Sequence, residues 1–343
     1  MSNVKDFLKR KDIVITPQRY LIEALGAMAQ GLFASLLIGT IIKTLGQQTG
    51  LETLVDLGGY ASAMSGPAMA VAIGWALHCP PLVLFSLVTV GYSSNALGGA
   101  GGPLAVLIIA IVAAELGKAV SKETRVDILV TPLVTIFAGV GLSMLIAAPI
   151  GAAASQVGTL IMWATEQAPF LMGILVSVIV GVALTLPISS AAICAALGLT
   201  GLAGGAAVAG CCAQMIGFAV MSFAENGWGG LVAQGLGTSM LQMGNIVKNP
   251  RIWLPPTLAA AITGPVATCI FRLENGIAIA SGMGTCGLVG PIGILSWDGF
   301  GGAFHWLGLI LVCFVLPAVL TPLIALPMRR LGWIKPGDCK LDL

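Results

Sequence analysis

The chain has 343 residues, 57% hydrophobic and only 9% charged, with a formal net charge of +2 and a mean hydropathy of +0.99. Soluble domains carry about 25% charged residues, so this composition excludes a water-covered globule and makes lipid the solvent for most of the surface. The near-neutral charge offers nothing to nucleic acid, and 46 glycines against 11 Phe, 7 Trp and 3 Tyr point to helices that pack through small residues and break often.

Residues 1–19 form a basic arm, with Lys5, Lys9, Arg10, Lys11 and Arg19 against Asp6 and Asp12. The arm lacks the short apolar core and cleavage site of a signal peptide. Basic residues beside a first span favour the cytoplasm. The arm reads as a cytoplasmic segment, either a short interfacial helix around Phe7, Leu8, Val14 and Ile15 or a solvated tether.

A first membrane repeat is expected over 20–155. Its opening span runs to Leu45, followed by an amphipathic connector over 46–65 with Gln47, Gln48, Glu52 and Asp56. The apolar run 61–97 exceeds the roughly 20 residues that one crossing needs. Pro80 and Pro81, after His78 and Cys79, remove two backbone donors and split it. The unit is completed by a glycine-rich turn from Asn95 to Pro103, a span to Gly117, a charged loop from Lys118 to Asp127 and a span over 129–150.

A second repeat is expected over 162–297. It holds a span over 169–188, a broken small-residue run over 190–224, a turn from Glu225 to Gly230 and a span to Ile246. The charged loop 248–251 and a span over 254–271 follow. An inserted re-entrant segment, 272–295, opens with Arg272, Glu274, Asn275 and Gly276. A last span covers 303–328, and the basic tail 329–343, with Arg329, Arg330, Lys335 and Lys340, is placed in the cytoplasm.

Two matches support the duplication. Gly31, Ser35 and Gly39 recur as Gly173, Ser177 and Gly181, and Pro149-Ile150-Gly151 recurs as Pro291-Ile292-Gly293, both 142 positions later. The four-residue spacing puts the small residues on one helical face, a packing seam at a repeat or dimer interface. Five apolar stretches per copy, an odd number, favour inverted copies, the arrangement that supports alternating access. The equivalent places of the basic loops 118–125 and 248–251 favour parallel ones. The fold class is all-α: a polytopic membrane protein of about 10–12 transmembrane or re-entrant helices, some of them discontinuous.

Ionisable residues within spans are costly and point to function. Glu115 lies late in its span and corresponds to Asn245, 130 positions on; Asn95 likewise corresponds to Asn226, 131 positions on. Polar groups at matching places suit a midplane site between repeats. The plain alternatives are an i,i+3 pair of Glu115 with Lys118 and a helix-end position for Asn245. Glu225-Asn226-Gly227 and Glu274-Asn275-Gly276 each sit in apolar, glycine-rich chain, where Asn-Gly favours a turn with positive φ that sets backbone groups beside a carboxylate. Both also fit ordinary extramembrane turns.

The expected substrate-binding set is therefore Asn95, Glu115, Glu225, Asn226, Asn245, Glu274 and Asn275. Gln214, Gln234, Thr238, Ser239, Gln242, Thr263, Thr268, Ser281 and Thr285 add neutral amides and hydroxyls, which suit a polyhydroxylated solute better than a metal ion. Trp228, Trp253, Trp297 and Trp306 read as interfacial anchors. The eight cysteines form no C-x-x-C pair, and the two histidines are His78 and His305. No metal site, cofactor or catalytic residue is expected, no phosphate-binding P-loop is present, and Cys339 reads as an ordinary thiol.

The first span, Tyr20 to Gly39, with the glycine-rich turns near Asn95 and Asn226, resembles the EIIC-like membrane proteins of the bacterial sugar phosphotransferase system, of the type related to the perfringolysin regulator. The likeness extends over nearly the whole chain. It implies a multi-pass permease of the bacterial plasma membrane, a homodimer, for a sugar or sugar-like solute. Such permeases work with phosphoryl-carrying A and B components, which this sequence does not contain, so separate subunits would supply them. The expected function is solute movement by alternating access. The alternative is a membrane-embedded ligand sensor without transport, which needs the same pocket.

Overall fold

The computed structural model describes residues 2–341, and their regular structure is helical. The elements are α1 (Ser2–Arg10), α2 (Arg19–Thr49), α3 (Glu52–Ala63), α4 (Ser65–Ala76), α5 (Pro81–Gly98), α6 (Gly102–Val120), α7 (Asp127–Thr165) and α8 (Pro169–Thr185). They continue as α9 (Ser190–Ala196), α10 (Gly201–Met221), α11 (Phe223–Val232), α12 (Met243–Lys248), α13 (Pro250–Ile270), α14 (Ala278–Ser281), α15 (Val289–Leu295) and α16 (Gly302–Arg330). Among the described residues, six helical runs are long and apolar enough to cross a bilayer: Arg19–Thr49, Pro81–Val120, Asp127–Thr165, Gly201–Met221, Pro250–Ile270 and Gly302–Arg330. The chain is an all-α polytopic membrane protein.

Its breaks follow the sequence chemistry. Pro81 opens α5 at the first helical position, where the missing N–H costs nothing. The 81–120 run turns back at Gly99, whose φ of +49° suits glycine, so that Gly117 at the end of α6 meets Val83 at the start of α5. The segment 152–164 makes no loop. It continues α7, a helix of 39 residues and thus about 58 Å long.

Wide π turns interrupt the helices: among them, two lie in α2, Arg19–Glu23 and Phe33–Leu37, one in α7, Ser143–Ala147, and one follows α11, Ala233–Gly237. Widening frees carbonyls, and neighbouring hydroxyls take them: Ser35 Oγ donates to Gly31 O at 2.7 Å and Ser143 Oγ to Gly139 O at 2.8 Å.

The helices form two bundles. In the first, α2 packs on α3 and α4, and α5, α6 and α7 close the bundle; in the second, α8, α13 and α16 surround α10, which is buried along almost its whole length. Both Gly-Ser-Gly seams lie inside their own half. Gly31 meets Ala68 of α4 and Gly39 meets Ser62 of α3, whereas Gly173 meets Gly264 of α13 and Gly181 meets Gly210 of α10. They hold neighbouring helices of one chain together and leave no free face for a second copy. The halves touch where α2 meets the segment 237–248 and residue 287, with Gly237 on the Phe33 ring, Gly244 on Ile22 and Gly287 on Ile41. They also touch where Ser189 N–H donates to Ala100 O at 2.8 Å and where Gly158 of α7 lies on Ile193 and Leu197.

The segment 272–295 is a string of turns and short helices laid against the start of α10. Gly201 and Asn275 exchange both backbone hydrogen bonds, at 2.8 and 3.0 Å.

Candidate solute site

A cavity of about 520 Å³ opens between the halves, within the range of small-molecule sites. From the first half Gln18, Glu23, Gln30, Trp75 and His78 line it; from the second, Asn245 and Lys248; from the tail, Lys340 and Leu341. Glu23 and Gln30 are seven residues apart on α2 and so share a face. Gly26 and Ala27 between them are too small to fill the space. A Cβ on Gly26 would meet nothing within 4 Å. Trp75, an exposed residue, lines both this cavity and the neighbouring apolar groove with Gly31 and Ala68, an apolar ring beside hydrogen-bonding groups.

Next to this cavity, α11, the π turn after it and α12 assemble a buried ladder of amides. Gln234 Nε2 donates to Ser222 Oγ at 2.9 Å, Gln242 Nε2 donates to Gln234 Oε1 at 2.9 Å, and Asn245 Nδ2 donates to Gln242 Oε1 at 2.8 Å. The kink at Gly227, φ +58°, turns Glu225 and Asn226 toward the same place.

The tail lies in this cradle. Cys339 N–H donates to Glu225 Oε2 at 2.9 Å, and Cys339 O accepts from Asn226 Nδ2 at 2.8 Å and Gln242 Nε2 at 2.9 Å. Lys340 O accepts from Asn245 Nδ2, and Leu341 N–H donates to Asn226 Oδ1, both at 2.8 Å. Arg329 pairs with the other Glu225 oxygen at 3.4 Å. Cys339 is wholly buried, and burial, helped by the Glu225 charge, pushes its thiol up to about 12.

Three of the expected residues, Glu225, Asn226 and Asn245, thus converge. The others do not. Glu115 faces the arm: its carboxylate pairs with Lys118 at 2.9 Å and accepts from Tyr20 at 3.0 Å. Lys118 in turn donates to Asp12 O at 2.8 Å and Leu77 O at 2.9 Å. Arg19 and His78 complete this cluster on Asp12, where the Arg19 guanidinium holds the Asp12 carboxyl down at about 2. Asn95, at the far end of α5, makes a helix contact, donating to Ser65 Oγ at 3.4 Å.

Glu274 and Asn275 sit at the opposite end of α10 from Glu225. Twenty-one residues of helix separate the two Glu-Asn pairs by about 30 Å. Asn275 is 1% exposed and spends its amide on Ser281 Oγ at 2.7 Å and on the backbone of Ile277. That side-chain turn and the pairing with Gly201 replace the expected positive-φ glycine, and Gly276 keeps an ordinary φ. Trp253 is also no simple anchor, since its indole N–H donates to Gln214 Oε1 at 3.1 Å.

Glu23, Gln30 and Trp75 were not expected from the sequence. Glu23 satisfies the criterion applied to Glu115, a carboxylate in an apolar span. His78 beside the arm cluster and Lys248 border one cavity, so the basic loops after α6 and before α13 lie at the same end of the molecule.

A family model described as phosphotransferase system, EIIC matches residues 22–341. No curated protein and no solved structure matches the chain. The match spans both halves, the cavity between them and the tail segment, and the chain belongs to the phosphotransferase system EIIC family of membrane permeases.

Proposed function

We propose that the chain carries a small, neutral, sugar-like solute across the bacterial plasma membrane, and that the cavity between the halves is its binding site. One observation carries this reading: the cavity walls come from both halves and combine a carboxylate, amides and an exposed indole, Glu23, Gln30, Asn245 and Trp75. A hydroxylated ring satisfies such a wall with O–H groups toward the carboxylate and amides and C–H groups toward the indole. A site walled by two bundles is accessible to one side or the other as the bundles rock, which is alternating access. In this reading the duplicated halves are repeats and the unit is a homodimer. Separate A and B subunits deliver phosphoryl groups, and both termini face the cytoplasm, which the basic loops at one end support.

The test is uptake by proteoliposomes holding the purified protein, with labelled glucose and mannitol as probes. Saturable flux that falls by about tenfold or more in Glu23→Gln and Trp75→Ala is the expected result. The second reading, a ligand sensor, draws on the tail clasped beside the cavity, a contact able to report occupancy. Saturable binding of either probe with no flux selects that reading.

A further inference from the structure

The cradle and the tail assign a second role to the same site, and this inference rests on the permease reading above. Every bond from Glu225, Asn226, Gln242 and Asn245 to residues 339–341 goes to backbone: two N–H groups and two carbonyls. Among the described residues, no side chain of 339–341 hydrogen-bonds these four; the tail side chain that reaches them is Arg329, on the other Glu225 oxygen. The cradle is therefore a set of one anionic acceptor, one amide used as donor and acceptor at once, and two further amide donors. These are the groups that bind adjacent hydroxyls, each of which donates and accepts.

Leu341 then reaches across the gap. Its side chain lines the cavity and packs against a buried cluster to which both halves contribute, Met28 and Ile73 from the first and Met240 and Leu241 from the second. The segment is also fastened upstream, where Asn249 Nδ2 donates to Asp338 Oδ2 at 2.7 Å and to Trp333 O at 2.9 Å. It is thus hydrogen-bonded to the second half and packed on the cluster where the two halves meet.

We propose that residues 339–341 are a resident occupant of a hydroxyl-binding subsite formed by Glu225, Asn226, Gln242 and Asn245, and that a polyhydroxylated solute must displace them to bind there. While seated, the segment ties the two halves together and holds the cavity in one state. Release exposes the cradle, lengthens the cavity toward α11 and frees the halves to move.

The full-length protein supplies its own reporter. Cys339 is wholly buried while the tail is seated and becomes accessible when it leaves. The experiment measures maleimide labelling of Cys339, located by mass spectrometry, and proteoliposome flux of glucose and mannitol. It compares wild type with Leu341→Pro, which removes the N–H given to Asn226 and the apolar anchor. The expected result is Cys339 labelling faster by about tenfold and flux at low solute higher by a similar factor, with the transported probe accelerating labelling in wild type. Leu341→Ala keeps every backbone bond and shifts both readouts the same way by less, which guards against a folding defect in the proline variant.

Flux that is present and equal in all three proteins, with labelling unmoved by the transported probe, overturns the tail inference and leaves the permease reading standing. Absence of flux and binding in all three, while Cys339 labels faster in Leu341→Pro, overturns the permease reading and the displacement with it.

Discussion

Lys118 and Glu115, one turn apart on α6, meet at 2.9 Å with side chains only 1% and 13% exposed. The pair is buried at the end of a span, and Lys118 spends its other protons on the carbonyls of Asp12 and Leu77. It fastens the arm and the α4–α5 corner to α6. A buried pair contributes little net stability against apolar replacements, yet breaking it strands a charge.

The first prediction follows. Lys118→Met leaves Glu115 unpaired and destabilises the protein by about 3–5 kcal/mol, whereas Lys118→Met with Glu115→Leu recovers much of the loss. Thermal unfolding in detergent, read for the two single variants and the double, checks the coupling. Additive losses would mean that the pair is not the unit described.

The arm carries a pH dependence of known sign. Asp12 is held at about 2, below its ordinary 3.8, chiefly by the hydrogen bond from Arg19. A depressed carboxyl stabilises the docked arm above its unfolded pKa, and that contribution is lost as pH falls from about 4 toward 2. The Asp12 side chain is 47% exposed, so solvent screening keeps the effect modest. Limited proteolysis of the arm should quicken across that window in wild type, and Asp12→Asn should show quick cleavage at neutral pH with the acid step gone.

Gly26 tests the cavity without touching its polar groups. It lies between Glu23 and Gln30 with open space where a side chain would go. Gly26→Phe is expected to fill that space, leave unfolding temperature within a few degrees of wild type and reduce solute flux by about a hundredfold. Unimpaired flux would move the passage elsewhere.

Gly210 tests the packing seam. A Cβ there would collide with the carbonyl of Ser177 on α8, so Gly210→Ala should cost about 1–3 kcal/mol through forced separation of α8 and α10. Gly59, in α3, has nothing within reach of its Cβ. Gly59→Ala is expected to stabilise by roughly 0.5–1 kcal/mol, as helix propensity dictates. Paired unfolding curves decide both.

Much of the architecture was legible because its causes are local. Hydropathy placed the long apolar helices, Pro80-Pro81 placed the α4–α5 break, and Gly31, Ser35 and Gly39 marked a face that does pack closely. The span expected up to Ile246 is instead a π turn, an extended Thr238 and short helices, and Glu225 to Gly230 lies within α11. The site was legible only in part. Glu225, Asn226 and Asn245 stood out as polar groups in apolar chain, but so did Glu274 and Asn275, and residue type does not reveal that α10 holds the two groups about 30 Å apart. Glu115 and Lys118 show the same ambiguity: a functional carboxylate and an internal ion pair look identical in sequence. The tail was read by its charge as a cytoplasmic end. The contacts of residues 339–341 with Glu225, Asn226, Gln242 and Asn245 lie in backbone N–H and C=O groups, which nearly every residue carries.

The long helix α7 has a mechanical consequence. It enters the second half through only Glu166, Gln167 and Ala168 before Pro169 starts α8. The halves are therefore joined by a stiff rod with a short knuckle, and no slack chain separates them. The last turns of the rod are themselves built into the second half, where Ile161 and Ala164 share a buried cluster with Met172 and Val176, so one continuous helix belongs to the packing of both halves.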